Sequence, residues 1–117
     1  MAQYYEGIGR RKESTARVRL TAGSGKMVVN EKEGAVYFPR LGDLDDILRP
    51  FSAVGQEASK YDVSVIVSGG GTTGQTEAVR LGVARALQII NAEWTSALRK
   101  KGLLTRDARV KERKKPG

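Results

Sequence analysis

The sequence predicts an α+β fold, in which a mostly antiparallel sheet of about four strands carries helices on one face. Segments 15–21 and 61–68 alternate apolar and polar residues, as half-buried strands do. A later segment, from about residue 74 to 92, repeats its apolar residues at helical spacing. The length of 117 residues suits one domain with a modest core.

The first thirty or so residues predict strands and tight turns. Segment 4–14 is a short strand that leads into a basic turn, and in segment 15–21 the side chains of Arg17 and Arg19 share the outer face. Ala22-Gly23-Ser24-Gly25 is a turn, after which 26–30 returns as a strand. We therefore expect 15–21 and 26–30 to pair as a hairpin.

A short helix is predicted next, with Asp43 as its N-cap and Pro50 as its end. Asp43, Asp45 and Asp46 raise the alternative of a metal site. A calcium loop needs alternating oxygen ligands and a glycine, and Leu44 interrupts this cluster. We interpret the acidic residues as a helix start with a solvated face, and predict no metal.

The second half of the chain contains the clearest elements. Val63, Val65 and Val67 share one face of the strand 61–68, and a glycine-rich stretch follows. The long helix carries an apolar stripe formed by Val79, Val83, Leu87, Ile90 and Trp94. A shorter helix stops at Gly102, a natural left-handed C-cap. We predict a folded domain over 1–102 and an extended basic tail over 103–117.

Composition excludes several classes of protein. The chain has no cysteine and no histidine, which removes disulfides, thiolate and imidazole metal sites, and histidine-based catalysis. No apolar run approaches the ~18 residues that span a membrane, and the N-terminus lacks the apolar stretch of a signal peptide. We therefore expect a non-enzymatic protein without cofactor, small-molecule substrate or membrane partner.

The charge distribution indicates a polyanionic partner. The net charge is +8, and residues 98–117 hold nine basic against two acidic residues, while residues 21–97 hold seven against nine. Blocks of like charge of this kind are typical of tails that bind nucleic acid or an anionic surface.

The stretch from Gly69 to Thr76, GGGTTGQT, invites comparison with nucleotide-binding loops. It departs from the phosphate loop G-x-x-x-x-G-K-[ST] at Gln75, and a neutral amide cannot neutralise the β- and γ-phosphates as lysine does. The dinucleotide pattern G-x-G-x-x-G also fits, but the acid it requires, at Glu93, follows a helix and not a strand. Two interpretations remain: a tight turn, or a backbone N–H cradle for the phosphates of an RNA.

Four segments together carry a resemblance to a known family: GIGRRKESTARVRL, GKMVVN, YDVSVIVSGGGTTGQTEAVRLGVARAL and LLTRDARVKERKKPG. In this order and spacing the chain resembles the bacterial-type family of small-subunit ribosomal protein nine over nearly its whole length. The resemblance implies a two-layer α/β sandwich like the second domain of ribosomal protein S-five. It also implies a structural role in the head of the 30S subunit of a cytoplasmic ribosome; an organelle-encoded origin stays open.

The partners that the resemblance implies are the 3′ major domain of 16S rRNA and neighbouring head proteins. A free-standing RNA-binding protein is the alternative, and a nucleotide-binding enzyme a distant third. The predicted RNA-binding residues are Arg10, Arg11, Lys12, Arg17, Arg19, Gly69, Gly70, Gly71, Thr72, Thr73, Gln75, Arg80, Arg99, Lys100, Lys101, Thr105, Arg106, Arg109, Lys111, Arg113, Lys114 and Lys115.

The sequence departs from the family at its end. Members of the family continue past the Lys-Lys-x-Gly segment into a basic stretch that ends in Ser-Lys-Arg and reaches the P-site tRNA. This sequence stops at Pro116-Gly117. The resemblance therefore implies a P-site tRNA contact only if such an extension exists.

Overall fold

One five-stranded mixed sheet organises the computed structural model, which describes residues 3–104. The strands are β1 (Tyr5–Arg11), β2 (Ser14–Ala22), β3 (Met27–Val29), β4 (Lys32–Glu33) and β5 (Tyr61–Ser68). Their spatial order is β1-β2-β5-β3-β4. Neighbouring strands are antiparallel, except β3 and β5, which run parallel. The predicted α+β class is confirmed, and the sheet gains the short edge strand β4.

The predicted hairpin between 15–21 and 26–30 is wrong, because β5 lies between these segments. Val65 of β5 pairs with Val18 of β2 on one side and with Val29 of β3 on the other. The three buried valines of β5 favour this central position, where both edges of the strand are paired and the face that carries the valines is buried. The turn residues between β2 and β3 show that the chain reverses there. They carry no information about a later strand that inserts between the two segments.

Helices cover one face of the sheet. They are α1 (Gly34–Tyr37), α2 (Asp43–Ile47), α3 (Arg49–Ala53), α4 (Thr72–Ile90) and α5 (Thr95–Lys100), with 3₁₀ turns at Ala58–Lys60 and Ala92–Trp94. The long helix α4 packs across β1 and β2, and α2 and α3 pack against α4. Val79, Val83 and Leu87 of the predicted stripe are buried, while Ile90 and Trp94 are partly buried at the margin of the core.

The short predicted helix is two helices. Gly42, with φ of 89°, occupies the N-cap of α2, and the carboxylate of Asp43 accepts a hydrogen bond from Arg40 Nε at 2.9 Å. Asp43 is therefore not the cap. Pro50 does not end a helix but lies in the first turn of α3, where a missing backbone N–H costs nothing.

Among residues 3–104, no group of three or more acidic side chains is arranged to hold a metal ion. No helix in this part of the chain is long and apolar enough to cross a membrane.

The end of the described chain is held against the core. Gly102 has the left-handed conformation that the sequence predicts, with φ of 72°. Beyond it, Leu103 is only 3% exposed and donates its N–H to the carbonyl of Leu98 at 2.9 Å, and Leu104 packs against the core. The division between domain and tail at residue 102 stays a prediction, but Leu103 and Leu104 contribute to packing.

Candidate nucleic-acid interface

Two loops that are far apart in the sequence meet at one end of the sheet. Thr15 pairs with Ser68, which places the glycine loop after β5 beside the basic turn between β1 and β2. The hydroxyl of Ser14, which is 1% exposed, donates a hydrogen bond to the carbonyl of Gly69 at 2.9 Å. The basic turn and the glycine loop therefore form a continuous surface.

The first two glycines of the loop are required by the fold. Gly69 and Gly70 have φ of 81° and 66°, a region that side chains disfavour. A β-carbon on Gly69 would collide with the carbonyl oxygen of Glu13, and one on Gly70 with the hydroxyl of Ser14. Gly71 differs, because its φ is −99° and no atom of residues 3–104 lies within 4 Å of the place for its β-carbon. At Gly71 the backbone is open to a ligand.

The amide of Gln75 supports the glycine loop through hydrogen bonds. Its Nε2 donates to the carbonyl of Gly69 at 3.1 Å, and its Oε1 accepts from the hydroxyl of Tyr37 at 2.8 Å. The carbonyl of Gly69 thus receives two hydrogen bonds, from Ser14 and from Gln75. Gln75 supports the loop through this network, and a direct contact of Gln75 with RNA stays a prediction.

The N-terminus of α4 opens onto this surface. The first helical bond runs from the N–H of Gln75 to the carbonyl of Gly71, at 2.9 Å, so the N–H groups that precede Gln75 in the helix have no partner within it. Gly71 at the N-cap offers no side chain, and the first turn holds no acidic residue. No acidic side chain of the first helical turn therefore offsets the positive end of the helix dipole beside Thr72 and Thr73.

Basic side chains surround this helix end. Arg10, Arg11 and Lys12 are exposed at the turn, and Lys12 has φ of 56°. Arg11 Nε lies 2.5 Å from the carboxylate of Glu77 in α4. The turn thus contributes positive charge, part of which Glu77 offsets.

Arg40 joins the surface, and sequence reasoning missed it. Its Nη1 lies 3.4 Å from the hydroxyl of Thr73, and Asp43 holds the guanidinium through two hydrogen bonds. The hydrogen bond to Asp43 is the main reason that the pKa of Arg40 is raised above its usual value. Arg40 lies in a segment without a regular apolar period, so no local signal pointed to it.

Arg17 and Arg19 lie on the open face of the sheet, as their alternation predicts. Both share the carboxylate of Glu6: Arg17 Nε lies 3.4 Å from one oxygen and Arg19 Nε 3.0 Å from the other. The guanidinium of Arg19 also stacks over the ring of Tyr4, 4.6 Å from its centroid. Their charge is therefore partly compensated within the protein.

Arg80 serves packing between helices. Its Nη1 lies 3.0 Å from the carboxylate of Asp46, which also pairs with Arg49 at 3.0 Å. This arrangement ties α4 to α2 and α3. An RNA contact for Arg80 stays a prediction.

The remaining predicted residues are not brought to the glycine loop in the part of the chain that the structure describes. Arg99, Lys100 and Lys101 are exposed at the end of α5, which follows the C-terminus of α4, whereas the loop precedes its N-terminus. Thr105, Arg106, Arg109, Lys111, Arg113, Lys114 and Lys115 lie outside the described residues.

Comparison with known proteins shows the family to which the chain belongs. The family model for ribosomal protein S9/S16 matches residues 9–117. Small ribosomal subunit protein uS9 of Mycoplasmoides gallisepticum is 52% identical over 113 residues, which cover 97% of this chain and 86% of that protein. The uS9 of Cytophaga hutchinsonii is 53% identical over 110 residues, covering 94% and 85%. The chain belongs to the ribosomal protein S9/S16 family.

Proposed function

We propose that this protein is a structural, non-enzymatic component of the small ribosomal subunit that binds 16S rRNA in the subunit head. The observation that carries the proposal is the junction at which Ser14 bonds to Gly69. It brings a basic turn and an open helix N-terminus onto one surface, and the family membership supplies the context of the ribosome.

This surface suits the backbone of an RNA. The N–H groups at the start of α4 can donate hydrogen bonds to a phosphate without any metal or lysine. Arg10, Arg11 and Lys12 add charge, and the planar fork of arginine pairs with phosphate through two hydrogen bonds. Binding through phosphates needs shape and charge with little readout of sequence, as expected for a structured ribosomal RNA.

The geometry disfavours a nucleotide-binding enzyme. The hydroxyl of Thr76, the residue that would hold Mg²⁺ in a phosphate loop, donates to the carbonyl of Thr72 at 2.9 Å. Both ends of the Gln75 amide are engaged within the protein. In the described part of the chain α4 leads to α5 and not to a further parallel strand, which a dinucleotide fold requires.

The finer proposals follow the family resemblance. They are binding to the 3′ major domain of the rRNA, contacts with neighbouring head proteins, location in the cytoplasmic ribosome, and RNA binding by the basic tail 103–117. A contact with P-site tRNA is proposed only for a chain that carries a basic extension beyond Gly117. A free-standing RNA-binding protein remains the alternative.

Sedimentation separates these two roles. A tagged full-length chain should sediment with small subunits after purification in high salt, whereas a free-standing protein should stay in the soluble fractions. Binding to a transcript of the 16S rRNA 3′ major domain should weaken steeply with salt. For roughly six neutralised phosphates, the slope of log affinity against log salt should be about −4 to −5.

A pair of double variants locates the surface. Arg10→Gln with Lys12→Gln should weaken binding and reduce the slope by about 1.4, since each phosphate contact contributes about 0.7. Lys26→Gln with Lys60→Gln removes the same charge from exposed sites at the end of the sheet where β3 and β5 begin, opposite the glycine loop that follows β5. An RNA affinity that does not change with salt, or an equal loss of affinity in both double variants, would contradict the proposal.

A further inference from the structure

The face of the sheet opposite the helices carries exposed apolar side chains at its centre. Ile8, Arg17 and Ile66 form one row across β1, β2 and β5. Ile66 is 62% exposed although it lies on the central strand, and Val28, on the neighbouring strand β3, is 40% exposed. The stem of Arg17 stands between the two isoleucines, and stems of this kind add to an apolar surface.

A groove with one fixed wall runs beside Ile66. Val28, Asn30, Glu31, Ser64, Val65 and Ile66 line it. The side chain of Asn30 extends the hydrogen bonding between β3 and β5 beyond the end of β3. Its Nδ2 donates to the carbonyl of Val67 and its Oδ1 accepts from the N–H of Val67, both at 2.9 Å. The groove is thus held in shape before any partner arrives, which lowers the entropy cost of binding.

The charges on this face do not suit a polyanion. Glu6 lies between Arg17 and Arg19 and offsets part of their charge, and Glu31 is exposed on the opposite side of the face. A phosphate backbone would meet a carboxylate on both flanks. This mixture of positive and negative side chains fits a protein partner better. A carboxylate of the partner would face the N–H donors of Arg17 that Glu6 does not use, and a cation of the partner would face Glu31.

The size of the apolar area argues against a second copy of this chain. Four strands spaced about 4.8 Å apart, over two or three residues of about 3.3 Å rise, give an apolar patch of only some 100–200 Å². A stable pair of proteins buries about 800 Å² on each partner. The patch suits a contact that other interfaces of a larger assembly reinforce.

We propose that this face docks a neighbouring protein, which inserts an aliphatic side chain between Val28 and Ile66 and places a carboxylate beside Arg17. The inference rests on the proposed function, since the small subunit supplies the larger assembly. It assigns the open sheet face to protein and leaves the basic turn and glycine loop to RNA.

Competition during assembly tests the surface. Each tagged variant is co-expressed with the untagged wild-type chain, and the ratio of the two is measured in purified small subunits. Ile66→Lys should be incorporated roughly tenfold less well, because it removes an aliphatic side chain that the docked protein would bury. Ile66→Thr, which keeps the β-branch that favours strands, should show the same direction of change.

Ile89→Lys is the matched control, because Ile89 is 59% exposed on α4. It should be incorporated like the wild type. Equal incorporation of Ile66→Lys and Ile89→Lys would overturn the inference. Better incorporation of Ile66→Lys would also overturn it, since an added cation would favour an RNA partner.

A photo-crosslinker identifies the partner's class. With p-benzoyl-phenylalanine at the exposed position of Ser64, purified small subunits should give an adduct with another ribosomal protein, on a peptide that pairs an aliphatic residue with Asp or Glu. An adduct that ribonuclease digests, an adduct between two copies, or no adduct would overturn the inference. Absence of the wild-type chain from small subunits would overturn the proposed function as well.

Discussion

The carbonyl oxygen of Ala78 in α4 occupies the position that a β-carbon on Gly9 in β1 would need. Gly7 stands in the same relation to the carbonyl of Gly82, one helical turn further along. The helix therefore rests on the strand backbone against backbone, without side chains between them. Since Gly9 lies just before the basic turn, this contact also sets where the N-terminus of α4 stands relative to that turn.

Gly9→Ala should destabilise the fold, because the atoms in the way are backbone atoms that cannot rotate aside. We expect a loss near the upper end of the 1–3 kcal/mol that overpacking costs, about 3 kcal/mol. Urea denaturation measures it. Gly71→Ala, where the β-carbon meets open space, should cost no more than about 1 kcal/mol as a change at an N-cap. Equal midpoints for the two variants would disprove the close approach.

Substitution at Gly71 separates the two roles of the glycine loop. Valine readily adopts the extended conformation of Gly71 (φ −99°, ψ −179°), so Gly71→Val should fold with a loss of about 1 kcal/mol or less. It should weaken RNA binding roughly tenfold, since it blocks approach to the helix N-terminus and removes a charge-assisted hydrogen bond. Unchanged RNA affinity would mean that the loop is structural only.

Gly70→Val cannot make the same distinction. Its positive φ and the hydroxyl of Ser14 both oppose a side chain there. We expect a marked loss of stability, so a loss of RNA binding in this variant would follow from the altered loop. A midpoint of unfolding as high as that of Gly71→Val would contradict this expectation.

Removing the partner of Arg11 should strengthen RNA binding. Glu77 lies 2.5 Å from Arg11 Nε, and both side chains are partly exposed, so Glu77→Gln should change stability by no more than about 1 kcal/mol. The released arginine should steepen the salt slope by about 0.7. Glu93→Gln, an exposed carboxylate in the 3₁₀ turn after α4, is the control. Identical slopes would show that Arg11 does not meet phosphate.

Deletion of the tail tests its division from the domain. A chain that ends at Leu104 keeps Leu103 and Leu104 in their packed positions, so it should unfold cooperatively near the temperature of the full chain. It should bind RNA more weakly, with a shallower salt slope, because six basic residues of the tail are gone. Loss of cooperative unfolding would assign residues beyond 104 to the core, and unchanged affinity would remove the tail from the RNA interface.

The elements that the sequence predicted well are those whose pattern is local. Strand 61–68 and helix α4 each have apolar residues at a regular spacing, and Gly102 by itself indicates a left-handed backbone that ends a helix. The pairing of Val29 with Val65 depends on residues far apart in the chain, so a wrong hairpin was predicted in its place. The edge strand β4 and helix α1 are too short for any period to show.

The candidate site shows the same limit. The basic turn and the glycine loop were each visible in the sequence, but their junction at Ser14 and Gly69 depends on the register of β2 against β5. Tyr37 was not predicted to support the loop, because only the folded chain brings its hydroxyl to Gln75. Local chemistry was therefore predictable, and the network that holds it was not.

Asp62 ties the crossover loop between β2 and β3 to β5. Its carboxylate accepts hydrogen bonds from the N–H groups of Lys26 and Ser24, both at 3.0 Å. These two bonds, the one from Lys26 first, lower the pKa of Asp62. A carboxyl group whose pKa is lowered by folding stabilises the protein above its unfolded pKa of about 3.9, and this contribution is lost as the pH falls through the folded value.

The stabilisation by Asp62 should therefore depend on pH. At pH 7, Asp62→Ala should unfold at lower urea than the wild type, because two backbone N–H groups lose their acceptor. The difference in stability between the wild type and Asp62→Ala should narrow as the pH falls below about 4, where the unfolded chain begins to bind the proton. It should be lost as the pH falls through the lowered pKa of Asp62 in the folded protein. Glu57→Ala, which removes an exposed carboxylate from the loop before β5, should show a much smaller gap at pH 7. A gap for Asp62→Ala that stayed constant from pH 7 to pH 2.5 would show that the charge of the carboxylate does not stabilise the crossover.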